Sequence, residues 1–184
     1  QLGLIQLQEV IFDRAFVESL FTSADAMREL SRPSDKQAGH ILATIFYEPS
    51  TRTRLSFESA MLRLGGAVIS TENAREFSSA IKGETVEDTI MMASGYADAI
   101  VIRHYEEGAA KRAAAVSPVP ILNAGDGPGE HPTQALLDLY TIRTELGRVD
   151  NLRIALVGDL RYGRTARSLA LLARQFEGIE FVFV

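Results

Sequence analysis

There is no cysteine in the chain, which excludes disulfides and thiolate metal sites. Tryptophan is absent as well. No apolar run approaches the roughly 20 residues of a membrane-spanning helix. No basic, apolar, small-residue leader opens the sequence, so secretion is not expected. Basic residues are not in excess. The net charge of -5 argues against a general nucleic-acid binder. Internal repeats and low-complexity tracts are lacking too. The expectation is a cytoplasmic protein with neither a nucleic acid nor a membrane as partner. What is present is ordinary for a globular chain: 184 residues, 46% hydrophobic and 23% charged. That length suffices for one domain and part of another.

The apolar pattern predicts alternating helices and strands. Asp13 can cap a helix to about Leu30, with Phe16, Val17, Leu20, Phe21, Ala24 and Met27 on one face. Residues 41–46 read as a buried strand, 52–64 as a helix and 67–70 as a second strand. The polar stretch 71–83 reads as a loop. A helix over 85–96, a strand over 99–102, an Ala-rich helix over 106–116 and a short strand over 120–123 follow. The run Ala124-Gly125-Asp126-Gly127-Pro128-Gly129 reads as a breaker. Pro132 suits a first helical turn, and that helix continues to about Leu146. A strand over 153–157, a helix over 163–175 and a strand over 179–184 complete the pattern. Continuous apolar strands alternating with helices predict an α/β fold with a parallel sheet covered on both faces. A second α/β unit begins near Gly147-Arg148-Val149-Asp150. The chain starts at Gln1 and stops inside an apolar strand, so a piece of a longer protein is expected.

The richest chemistry is Ser50-Thr51-Arg52-Thr53-Arg54, between the apolar run 41–46 and the helical pattern from Leu55. It places three hydroxyls and two guanidiniums where a strand ends and a helix begins. A helix N-terminus has unpaired N–H groups and the positive end of the macrodipole, and already attracts anions. Arginines there oppose the dipole unless a dianion joins them, and Arg forks match phosphate oxygens. The competing reading is a helix start capped by Ser50 or Thr51 with solvated arginines. The residues alone leave both open.

Phe46-Tyr47-Glu48-Pro49-Ser50-Thr51-Arg52-Thr53-Arg54-Leu55-Ser56-Phe57-Glu58 resembles the carbamoyl-phosphate signature of the aspartate/ornithine carbamoyltransferases. Four further segments resemble that family in its order: Ser78-Ser79-Ala80-Ile81-Lys82-Gly83-Glu84-Thr85, Val101-Ile102-Arg103-His104, His131-Pro132-Thr133-Gln134, and Val157-Gly158-Asp159-Leu160-Arg161-Tyr162-Gly163-Arg164-Thr165. The Ser-Ser-x-x-Lys-Gly-Glu-Thr and Gly-Asp-Leu-Arg-Tyr-Gly-Arg-Thr segments favour the aspartate branch over the ornithine branch. The resemblance implies a carbamoyl-phosphate domain over 1–130, an interdomain helix over 131–147 and the start of an aspartate-binding domain over 148–184.

It implies a reaction as well: transfer of a carbamoyl group from carbamoyl phosphate to the amine of L-aspartate, with no cofactor or metal, in an early step of pyrimidine synthesis. Ser50, Thr51, Arg52 and Thr53 would bind the phosphate, and Arg52 would stabilise its departing charge. Thr53, Arg103 and His131 would point at the carbamoyl oxygen, and Gln134 would accept from the carbamoyl amide. Ser78 and Lys82 would reach a neighbouring subunit's site, which implies a homotrimer with shared sites. The family also leaves room for a separate regulatory chain. Arg164 would contact the substrate α-carboxylate and pair with Glu48. Arg54 reads as structural, with Glu58 four residues on. Taken alone, Arg103 reads as a strand-end surface residue, His131 as a structural helix-start histidine, Lys82 as a surface lysine and Arg164 as a solvated helix-start arginine. His40 and His104 carry no assignment.

Two rival classes remain, and a third reading, a P-loop nucleotide hydrolase, is discounted. An ornithine-type enzyme shares most of the motifs. A non-catalytic carbamoyltransferase-like domain would bind without turnover. The glycines of 158–165 have P-loop spacing, but Asp159 puts negative charge where phosphates would sit, and Arg does not replace the required lysine.

Overall fold

The structure is a computed structural model, and it describes residues 12–30, 34–72, 83–160 and 163–184. Its contacts divide the chain into two units, one spanning Leu30–Gly127 and one comprising the first helix with Pro128–Val184.

The first unit is a four-stranded parallel sheet in the order β2-β1-β3-β4, with β1 at Ile41–Phe46, β2 at Ala67–Glu72, β3 at Ala99–His104 and β4 at Ile121–Asp126. Helix α2 (Thr51–Arg63) links β1 to β2, α3 (Val86–Ala93) precedes β3, and α4 (Ala109–Val116) links β3 to β4. Side chains alternate along the strands, so each face has its own core. Leu42, Phe46, Val101 and Ala124 pack with Phe57 and Met61 of α2. Ala43, Ile45, Tyr47, Ile100, Ile102 and Ile121 pack with Val86, Ile90, Ala110 and Ala113 of α3 and α4. The sheet is therefore covered on both faces, as its apolar strands require.

After β1 the chain turns to one neighbour, β2, by way of α2; β3 lies on β1's other side. Connections leave β1 and β3 toward opposite faces. In open parallel sheets that reversal opens a crevice beyond the strands' carboxyl ends, the usual ligand position.

Two boundaries differ from the sequence pattern in a way that matters. Strand β3 runs two residues beyond Ile102, because Arg103 pairs with Phe46 and His104 with Asp126. Strand β4 likewise runs through Ala124, Gly125 and Asp126, which had read as a breaker. Gly125 takes φ 116° and donates its N–H to Asn123 Oδ1 at 2.8 Å, and the ladder shifts register there without ending. The turn comes at Gly127, whose φ is 54° and where a Cβ would fall on the Tyr105 carbonyl. Helix α4 correspondingly begins at Ala109, behind a left-handed Gly108.

The second unit holds α1 (Arg14–Arg28), α5 (Pro132–Leu146), α6 (Arg164–Ala173) and a parallel pair, β5 (Arg153–Leu156) and β6 (Glu180–Phe183). Asp13 caps α1 by accepting from Phe16 N at 2.8 Å. Val17 and Phe21 are its buried residues. Arg14 reaches Asp150 through both terminal nitrogens, at 2.9 and 2.7 Å, and Asp150 also accepts from Glu177 N at 2.8 Å. Asp25 takes hydrogen bonds from Tyr140 and Arg143, both at 2.7 Å. Among the described residues, no helix is long and apolar enough to cross a membrane.

Candidate functional site

Ser50 is the N-cap of α2, yet its side chain caps no backbone N–H. Its hydroxyl donates instead to Thr53 Oγ1 at 3.0 Å. The capped-helix alternative is thus not what the structure adopts. The first turn presents its N–H groups beside exposed Thr51 and Arg52 and half-buried Thr53. No acidic residue lies in that turn. This is the arrangement that favours an anion.

Arg54 points away from this role. Its Nε lies 3.9 Å from Glu58 Oε1, the i,i+4 pair expected from the spacing. Glu58 Oε1 also accepts from Thr44 Oγ1 at 2.8 Å and from Ser70 Oγ at 2.7 Å.

Arg103 is not a surface residue. It is 8% exposed because β3 is flanked by β1 and β4. Its guanidinium donates to the Ala124 carbonyl at 3.2 Å and stands 3.1 Å from the Glu48 carboxylate. The Arg103 carbonyl accepts from Tyr47 N at 2.8 Å, which ties the segment leading to Ser50 onto β3. Arg103 and the start of α2 therefore meet at the carboxyl ends of adjacent strands, at the reversal point of the sheet.

On the other face, His104 is 2% exposed. Its Nδ1 accepts from Glu106 N at 3.0 Å, and its ring packs against Tyr47 and Tyr105. Burial chiefly pushes its pKa below the ordinary histidine value, with Arg112 adding to the effect while Glu106, Asp126 and Glu87 oppose it. A neutral ring accepting a backbone N–H is structural. Tyr47 is pushed up, again chiefly by burial.

In the second unit, His131 is the N-cap of α5, with Pro132 in the first turn. It is 7% exposed, and its backbone N donates to Ser168 Oγ at 3.0 Å. Its Nδ1 lies 3.4 Å from Thr133 Oγ1. Gln134 Nε2 donates to Asp138 at 2.8 Å, which orients the side-chain amide. Arg164 opens α6 one turn before Ser168, so the hydroxyl that holds His131 rides on the helix that carries Arg164. Gly163 precedes it at a point where a Cβ would fall on the Asp159 carbonyl.

Ser78 and Lys82 lie outside the described residues. The residue-by-residue pattern missed four partners: Glu48 for Arg103, Ser168 for His131, and Thr44 and Ser70 for Glu58. Among the described residues, no three His, Asp or Glu side chains gather as metal ligands.

Comparisons with known proteins agree on one family. Residues 5–144 match the family description "aspartate/ornithine carbamoyltransferase, carbamoyl-P binding domain". The chain is 56% identical to the chloroplastic aspartate carbamoyltransferase of Arabidopsis thaliana, over 100% of its own length and 49% of that protein. It is 52% identical to the aspartate carbamoyltransferase catalytic subunit of Methanocaldococcus jannaschii, over 100% of its length and 57% of that subunit. The solved structure of the M. jannaschii catalytic subunit superposes with a TM-score of 0.92, covering 100% of this chain and 60% of that one. An aspartate transcarbamoylase from Trypanosoma cruzi, solved with carbamoyl phosphate and aspartate, is 43% identical and superposes at 0.88, covering 96% of this chain and 55% of that one. The chain thus spans about half the length of the curated relatives it matches.

Proposed function

The chain belongs to the aspartate/ornithine carbamoyltransferase family, and on that premise we propose that it is the carbamoyl-phosphate-binding part, with the beginning of the aspartate-binding part, of an aspartate carbamoyltransferase. One observation carries the reading. The uncapped start of α2, with Arg52 and its hydroxyls, stands beside buried Arg103 where the parallel sheet reverses. A small dianion with a polar carbonyl matches those groups.

In the proposed reaction the aspartate amine attacks the carbamoyl carbon. The bond from that carbon to the phosphate oxygen breaks, the amine loses a proton, and phosphate departs. Nothing needs to be bonded covalently to the protein. The turn 50–53 and Arg52 hold the phosphate and stabilise its growing charge. Thr53, Arg103 and His131 stabilise the carbonyl oxygen, each such fixed donor contributing about 3–4 kcal/mol. Gln134 orients the carbamoyl amide, and Arg164 takes the aspartate α-carboxylate. Holding both anions in contact contributes about 7–11 kcal/mol in favourable cases.

Aspartate is favoured over ornithine by the two loop motifs and by the names of the relatives. We further propose a homotrimer in which Ser78 and Lys82 complete a neighbour's site, and a role in pyrimidine synthesis. The cytoplasmic reading rests on the cysteine-free composition. The plant relative is named as chloroplastic, and a reducing plastid would suit that composition equally. The deciding experiment expresses the full-length protein and assays carbamoylation of aspartate against ornithine. Carbamoyl-aspartate formation with no activity on ornithine is expected, and ornithine turnover would overturn the assignment.

A further inference from the structure

We infer that Glu58 is a positioning residue for the anion site at the start of α2; the inference rests on reading that turn as the phosphate site. Thr44 and Ser70 are paired neighbours on β1 and β2. Their hydroxyls lie 2.9 Å apart, and each lies within reach of Glu58 Oε1, at 2.8 and 2.7 Å. Three oxygens thus share two hydroxyl protons, which suits an ionised carboxylate as the common acceptor. Thr44 is fully buried, and the Glu58 side chain is 17% exposed.

The tether matters because the apolar hold of the sheet on α2 is slight. The helix has no buried residue, and its apolar contacts to the sheet come from partly buried Phe57 and Met61. Apolar packing is non-directional. Hydrogen bonds from two strands to one carboxylate are directional. Arg52 and Thr53 lie upstream on the same short helix, so a rotation about its axis moves both from the phosphate. Glu58 also faces Arg54 at 3.9 Å. That carboxylate offsets the unfavourable placement of a cation in the first turn.

The test is steady-state kinetics on the full-length protein with Glu58→Ala, Glu58→Gln and Ser70→Ala. Glu58→Ala is expected to raise the carbamoyl-phosphate KM about tenfold, the scale of a charged hydrogen bond, while the aspartate KM moves less than about twofold. Glu58→Gln keeps an oxygen that accepts both hydroxyls and should recover most of that loss. Ser70→Ala removes one of the two hydroxyls that donate to the carboxylate and should raise the same KM about threefold, as about half of a tenfold loss in free energy. An unchanged carbamoyl-phosphate KM with only a lower melting temperature would reduce Glu58 to a stability role and overturn the inference. Gln as damaging as Ala would assign the effect to charge and overturn the tether. If Glu58→Ala does not fold, Ser70→Ala decides, and a normal KM there sinks the proposal. Arg52→Ala, run in parallel, separates the two levels. Normal kinetics in Arg52→Ala would remove the phosphate reading itself, whereas a crippled Arg52→Ala beside a normal Glu58→Ala removes only the role of Glu58.

Discussion

Glu48, two residues past the end of β1, faces Arg103 on the adjacent parallel strand β3, with a carboxylate oxygen 3.1 Å from a guanidinium nitrogen. Arg103 is nearly buried, whereas the Glu48 side chain is 37% exposed. The arginine therefore has a fixed place beside an acidic side chain that reaches solvent. Its other bond, to the Ala124 carbonyl, comes from the strand on the opposite side. A guanidinium held from both sides of β3 is a preorganised donor, the kind that acts on charge developing in a transition state.

If the proposed activity holds, Arg103→Ala should lower kcat of the full-length protein by about a hundred- to a thousandfold, the usual cost of losing one such donor. Arg103→Lys should recover little, because one ammonium does not reproduce a planar fork. Steady-state rates with saturating carbamoyl phosphate check both. Lysine at near-normal kcat would show that only a positive charge is needed there.

Arg52 is exposed at an uncapped helix start. Arg52→Ala should weaken phosphate binding and lower turnover by orders of magnitude, each tenfold corresponding to about 1.4 kcal/mol. Calorimetric titration with inorganic phosphate gives the binding part alone. An unaltered affinity would place the phosphate elsewhere.

His104 makes stability depend on pH. Its folded-state pKa lies below the unfolded value, chiefly through burial, so the unfolded chain binds the proton more readily. The associated stability is complete above the unfolded pKa of about 6.5 and is lost as pH falls below it. Denaturation midpoints should therefore drop between about pH 7 and pH 5, and the slope should flatten in His104→Gln. A midpoint that holds steady across that range would mean the ring accepts a proton in place.

The contiguous parts of the fold and site were legible because their signals are local. The apolar run 41–46 and the hydroxyl–arginine cluster after it define β1, the turn and α2 without any distant residue. The pairs were not legible. Glu48 meets Arg103 only because the register sets Phe46 beside Arg103, and register is a long-range property. Thr44 in an apolar strand reads as a β-former, and nothing in its neighbours reveals that it shares the acceptor Glu58 Oε1 with Ser70. Ser168 reads as an unremarkable helix residue until α6 lies against the start of α5. The Gly-Asp-Gly run misled because glycine breaks most strands, whereas here Gly125 accommodates an irregular ladder step and the break waits for Gly127. Ser78 and Lys82 lie outside the described residues, so their part rests on the resemblance.

Shared sites between subunits can be tested without a structure of the assembly. Arg52→Ala and Lys82→Ala should each be inactive in the full-length protein. If Lys82 serves a neighbour's site, mixed oligomers contain some sites with neither lesion. Mixing the two after verified subunit exchange should restore part of the activity. Persistent inactivity in proven hybrids would count against the arrangement.

The last prediction concerns the 184-residue chain by itself. The groups proposed to hold phosphate, Ser50 to Thr53, belong to the first unit, which has a four-stranded sheet and a core on each face. Among the described residues, the strands of the second unit are the pair β5 and β6, and Phe183 and Val184 are 58% and 67% exposed. A two-stranded sheet with open edges and exposed apolar side chains tends to associate. The proposed grip on aspartate comes from Arg164 alone, and one arginine does not fix both carboxylates and the amine of that substrate. The chain should therefore retain weak anion binding, self-associate as concentration rises, and give no measurable carbamoyl-aspartate. Calorimetry with carbamoyl phosphate, sedimentation over a concentration series and a product assay measure the three outcomes separately. Robust turnover by the verified 184-residue chain would show that aspartate is gripped entirely by residues already present, and that Arg164 has partners in that task which the proposed assignment omits.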